Sequence, residues 1–202
     1  MADNYLERRM EELRSGKIAA SVKPQRRTSG SAQAGKISLD FKPKRVLIIG
    51  DTSRLADALI STYRKAGCSV ALLSTPSPEG ERLAHDCGIR FCPCDLSDSD
   101  AFCRHFDNLL KAWRGLDIMV SVTPEGEQVL DSLLPLWQAY ADSHPFPDDY
   151  GRRTLRISDH DGDPAEIATL ALTAALPSMR HHQARILLSH DSLALSFSLS
   201  SS

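Results

Sequence analysis

Nowhere in the 202 residues does an apolar run approach the length of a transmembrane helix. No hydrophobic signal segment follows Met1. Both absences point to a cytoplasmic chain. An odd five cysteines, Cys68, Cys87, Cys92, Cys94 and Cys103, cannot all pair within one chain, and most fall in segments expected to be buried. A secreted, disulfide-stapled scaffold is thereby excluded. His85, Cys87, Cys92 and Cys94 stand close in sequence, but their spacing fits no common structural zinc site, and no metal is expected. No nucleic-acid-binding motif is present, and the basic segment has no interleaved aromatics, so nucleic acid is not an expected partner.

What is present is an alternation of strands and helices. Val46 to Ile49 form a continuous, largely β-branched run that suits a strand buried on both faces. Leu55, Leu59, Ile60 and Tyr63 then recur at helical spacing until Gly67. Ser69 to Leu73 reads as a second strand, Glu79 to Cys87 as a short helix closed by Gly88, and Ile89 to Cys92 as a third strand. After a polar exit at Asp95 to Asp98 comes a helix bearing Phe102, Phe106, Leu109, Leu110 and Trp113, and then a fourth strand, Asp117 to Ser121. Connections this short imply βαβ units and a doubly wound, three-layer α/β fold with a parallel sheet and right-handed crossovers.

The first 44 residues are a different material. Residues 1–45 hold eleven Lys or Arg against five Asp or Glu, whereas the whole chain carries a net −2. Asn4 to Ser15 reads as an amphipathic helix with Leu6, Met10 and Leu13 on one stripe. It is too short to stand alone and has to dock on its own domain or on a protein partner. Residues 17–44, rich in Ser, Gly, Ala, Lys and Arg, read as a flexible basic tether. The residues from Arg45 to Ser202 read as one domain.

The order of these elements resembles the first half of a short-chain dehydrogenase/reductase. RVLIIGDTSRLADAL stands where that family has its first strand and Thr-Gly-x-x-x-Gly-x-Gly turn. CPCDLSD matches the strand-three exit whose Asp holds the adenine, and GLDIMVSVTP matches the strand that ends in Asn-Asn-Ala-Gly. EIATLALTAALPSMR (Glu166 to Arg180) followed by ARILLSHDS resembles the family's interface helix and fifth strand, where the catalytic serine sits. The stretch 125–163 then reads as an insertion, with a helix around Val129 to Tyr140 that Pro135 kinks or splits.

The resemblance implies a dinucleotide, NAD or NADP, with Gly50, Thr52 and Arg54 near the phosphates, Asp95 and Leu96 at the adenine, and Ser121 at the nicotinamide side. Ser74-Thr75 offers neither an acidic residue for the NAD ribose nor a basic one for the NADP phosphate. Of the glycines only Gly50 survives. Arg54 and Ala56 occupy the second and third positions, so Arg54 either fills the site or touches a phosphate itself. Ser121-Val122-Thr123-Pro124 replaces the paired amides.

The family's Tyr-x-x-x-Lys, in which the tyrosine is general acid/base and the lysine lowers its pKa, occurs nowhere in the chain. Ser189 and Ser192, the candidates for the catalytic serine, are left without a proton-transfer partner of that kind. Three readings follow. The chain is a pseudoenzyme that binds a nucleotide or a protein; or an NAD(P)-dependent oxidoreductase with a rearranged or shared active site; or a purely structural, partner-binding protein. The small residues of the 165–180 helix suit a homodimer interface or simply packing on the sheet. Asp159 to Asp163 could gather a hard cation, but Asp163, Pro164 and Glu166 are explained more simply as a helix cap. The apolar and Ser alternation of Leu193 to Ser202 suits a strand.

Overall fold

The structure is a computed structural model that describes residues 44–144, 153–158 and 162–175, with the backbone course of 182–189 and 192–199. These residues belong to the second of two units of the chain, Asp40–Ser202. The expected N-terminal helix and nearly all of the tether lie outside the described residues, as do His181, Pro145 to Arg152 and Asp159 to Asp161.

Seven strands form one sheet in the order β3-β2-β1-β4-β5-β6-β7. The strands are β1 (Arg45–Gly50), β2 (Ser69–Ser74), β3 (Arg90–Pro93), β4 (Ile118–Ser121), β5 (Arg153–Ser158), β6 (His182–Ser189) and β7 (Ser192–Leu199). The first six run parallel, and β7 closes the edge antiparallel to β6, its Ser192 opposite Ser189. Between them lie α1 (Arg54–Lys65), α2 (Pro78–Cys87), α3 (Ser99–Trp113), α4 (Pro124–Ser143) and α5 (Pro164–Ala174). This is the doubly wound, Rossmann-like α/β architecture.

Alternation along the strands sends Val46, Ile48, Val70, Leu72 and Val120 to one face, where α1 supplies Leu55, Leu59 and Tyr63. Leu47, Ile49, Ala71, Leu73 and Met119 go to the other, where α3 gives Phe102, Phe106 and Leu109 and α4 gives Leu130, Leu133 and Trp137. Two dry layers on a parallel sheet are the expected consequence of strands apolar on both sides. Arg45 ties the amino end of β1 to the turn before β4, its guanidinium donating to both carboxylate oxygens of Asp117 at 2.8 and 2.9 Å.

Three expectations need correction. Residues 125–163 are not an insertion. They supply α4 and β5, and β5 pairs with β4 and β6 in the middle of the sheet, so the strand read as the fifth is the sixth. Pro135 does not split α4, which runs unbroken from Pro124 to Ser143, because the buried stripe Val129, Leu130, Leu133 and Trp137 holds it on the sheet. The crossovers are not all right-handed. The units through α1 and α2 step toward the β3 edge with their helices on one face, and those through α3 and α4 step the opposite way with helices on the other face. All four share one hand, which about 98% of such units make right-handed. The unit β5-α5-β6 steps like the α4 unit, yet α5 lies on the α1 face, so its hand is left.

The cause lies in α5's side chains. Ile167, Ala168, Ala171 and Ala174 are buried in the layer that holds α1, and the Tyr63 hydroxyl donates to the Ala171 carbonyl at 3.2 Å. Those small residues pack in the chain's own core. Asp163 caps α5, Oδ1 accepting from the Ala165 amide at 3.2 Å, with Pro164 in the first turn.

Candidate functional site

The strand order reverses between β1 and β4, and a cleft of about 440 Å³ opens at the carboxyl ends of the strands there. Clefts at such a switch point are where open α/β sheets bind ligands, and the volume lies within the usual range for small molecules. Each strand sends its exit loop to it: Gly50 and Asp51 from β1, Thr75 from β2, Asp95 to Ser97 from β3, and Thr123, Glu125 and Gln128 from the junction of β4 with α4.

The β1 exit is shaped by close packing. Gly50 has φ +149°, and a Cβ there would come within 2.5 Å of the Val122 Cγ2 atom. Gly126, in the first turn of α4, leaves no more room: a Cβ would sit 2.5 Å from the Ile49 carbonyl oxygen. Glycine at these two positions lets α4 start with only two residues between it and β4, capped by the Thr123 hydroxyl, which accepts from the Gly126 amide at 3.0 Å. Val122 itself is fully buried in the layer that holds α1.

Two amides at the head of α1 are bonded from within. The Ser53 hydroxyl accepts from the Ala56 amide at 3.4 Å, and Asp51 Oδ1 accepts from the Ser53 amide at 3.1 Å. Across the cleft, Asp95 Oδ1 accepts from the amide of Ser97 at 2.9 Å and from its hydroxyl at 2.8 Å. These two bonds, the amide first, hold the exposed Asp95 carboxyl below its usual range. Oδ2 is left to meet a donor from outside.

Of the residues expected at a cofactor, Gly50, Asp95 and Leu96 line the cleft. Arg54 does not fill it: it is exposed at the first position of α1. Thr52, half-buried in the turn, does not line it either. Ser121 is 1% exposed, on the α4 side of the sheet with Met119, and its hydroxyl has no hydrogen-bond partner among the described residues. Asp51, Thr75, Ser97, Thr123, Glu125 and Gln128 were not anticipated. Glu125 and Gln128 escaped because 125–163 read as an insertion, whereas Asp51 could have been found from its place directly after Gly50.

Ser189 and Ser192 face each other at the turn between β6 and β7, beyond strand five. The residue at the carboxyl end of strand five is Ser158. The helix that follows, PAEIATLALTA, contains neither tyrosine nor lysine. Arg156, in register with Ser121, is committed to α4, donating to Asp131 at 2.6 Å and Glu127 at 3.2 Å. No group of three or more His, Cys, Asp or Glu that could hold a metal ion occurs among the described residues. Among them, too, no helix is long and apolar enough to cross a membrane.

Comparison with solved structures decides the fold type. The 3-ketoacyl-(acyl-carrier-protein) reductase from Brucella melitensis, complexed with NADH, superposes with a TM-score of 0.50 at 14% identity, over 67% of this chain and 66% of that one. Hydroxysteroid dehydrogenase from Escherichia coli gives 0.50 at 15%, over 65% and 61%. The chain has a Rossmann fold of the short-chain dehydrogenase/reductase type. In sequence, a stretch of 79 residues is 30% identical to (+)-borneol dehydrogenase 2 of Salvia officinalis, covering 37% of this chain and 28% of that protein. No family model matches. The chain thus spans under two thirds of the length of each of these proteins. On this Rossmann-like frame the cleft lies at the switch point between β1 and β4.

Proposed function

We propose that the chain is a non-catalytic nucleoside-binding module that keeps the adenosine part of a dinucleotide site. The observation that carries this reading is the cleft itself: Asp95, Leu96 and Thr75 frame its β2-β3 side, where adenine and ribose would lie. The absence of Tyr-x-x-x-Lys supports the lack of turnover, because that pair is what passes a proton to or from a carbonyl oxygen in the resembled family. The charge asymmetry of the chain, with its basic N-terminal 45 residues, leaves room for a protein partner at that end.

The test is a pair of measurements on the full chain: calorimetric titration with adenosine and with NAD, NADH, NADP and NADPH, and spectrophotometric assay of NADPH and NADH oxidation with a panel of carbonyl compounds. Saturable adenosine binding without oxidation is the expected result. Turnover above the buffer rate would restore the oxidoreductase reading, and no binding of any ligand would leave the structural, partner-binding one.

A further inference from the structure

We propose that the cleft selects an uncharged adenosine-class nucleoside and rejects phosphorylated nucleotides, with Asp51 acting as a built-in anion at the turn where a pyrophosphate would rest. This rests on the reading of the cleft as a nucleoside site and adds its selectivity. A strand-turn-helix junction binds phosphate when its backbone amides are free and the helix end is open to a negative group. Here the amides of Ser53 and Ala56 are already taken, the first by the Asp51 carboxylate at 3.1 Å and the second by the Ser53 hydroxyl at 3.4 Å. The chain has placed its own carboxylate where the ligand's phosphate would go.

The rest of the cleft repeats that sign. Asp51, Asp95 and Glu125 line it, and among the described residues no lysine or arginine does. Arg54, the cation nearest in sequence, is exposed outside it, and Arg156 is held by Asp131 and Glu127. A pyrophosphate would therefore enter against three carboxylates with no counter-charge among the described residues, while the groups of a nucleoside find what they need. Ribose hydroxyls and an exocyclic amine are donors, and carboxylates accept. Thr75 and Gln128 add neutral polar contacts, and about 440 Å³ is ample for one nucleoside.

The experiment is calorimetric titration of the full chain with adenosine and with ADP, at low and high salt, for the wild type and for Asp51→Asn and Glu125→Gln. Asparagine keeps an Oδ1 that accepts from the Ser53 amide, so the turn survives the change. The wild type is expected to bind adenosine about tenfold more tightly than ADP, the gap narrowing at high salt as the repulsion is screened. Each substitution should narrow the adenosine-to-ADP ratio further. ADP binding as tightly as adenosine, or a ratio that neither substitution nor salt moves, overturns the selectivity and leaves the nucleotide reading standing. Binding of neither ligand by any of the three proteins overturns both.

Discussion

Gly50 and Gly126 hold the β1 exit and the head of α4 together, because each has a neighbour 2.5 Å from where a Cβ would stand. For Gly126 that neighbour is a backbone carbonyl, which cannot turn aside. Gly126→Ala is expected to destabilise the fold by about 1–3 kcal/mol through overpacking, and Gly50→Ala by a similar amount with strain added at φ +149°. Urea denaturation of each variant checks this; an unchanged midpoint would mean that α4 is free to move off β1. The cysteines give a second residue-level expectation. Burial pushes the Cys94 thiol from 9.0 up to about 11, with the nearby Cys92 adding to it. A thiol whose folded pKa is raised binds its proton longer in the native state, so its contribution to stability is whole below pH 9 and is lost as pH climbs toward about 11. Unfolding free energies measured from neutral to alkaline pH should decline over that window, and at pH 8 a thiol reagent should modify the half-buried Cys87 and Cys103 before the buried Cys68, Cys92 and Cys94. At this scale Gly50 and Asp95 were legible in the sequence from their places at strand exits. Arg54 was not, since its exposure depends on how Ser53 caps α1.

Helices and strands were legible as far as β4, where apolar period and caps agree, and less so beyond it. The segment after Thr123 misled for a physical reason: a helix containing Pro135 forms because four buried side chains on one stripe outweigh one lost hydrogen bond. Pro135 is exposed, so Pro135→Ala restores that bond at no cost in packing and should raise the thermal midpoint by several degrees. Circular dichroism melts measure it, and a fall in midpoint would contradict the placement of α4. The docking of α5 on α1 invites a parallel test. Tyr63→Phe removes the hydroxyl that reaches the Ala171 carbonyl and should cost about 1 kcal/mol, with the ring still buried. An unaffected stability would say that α5 does not sit there.

Across the whole molecule, the sheet order and the two dry layers follow from strands apolar on both faces, which the sequence displays openly. The left hand of β5-α5-β6 was hidden, because handedness is decided by which layer the alanines of α5 enter, and periodicity says only that they are buried. The cleft was half legible: strand exits point to it, but its acidic lining comes together only when β4 passes directly into α4. The most direct test of that assembled site is a heteronuclear NMR titration of the isotope-labelled full chain with adenosine. Shifts confined to Gly50, Asp51, Thr75, Asp95 to Ser97, Thr123, Glu125 and Gln128 are the predicted result. Shifts centred away from these residues, or none at saturating nucleoside, would contradict the account.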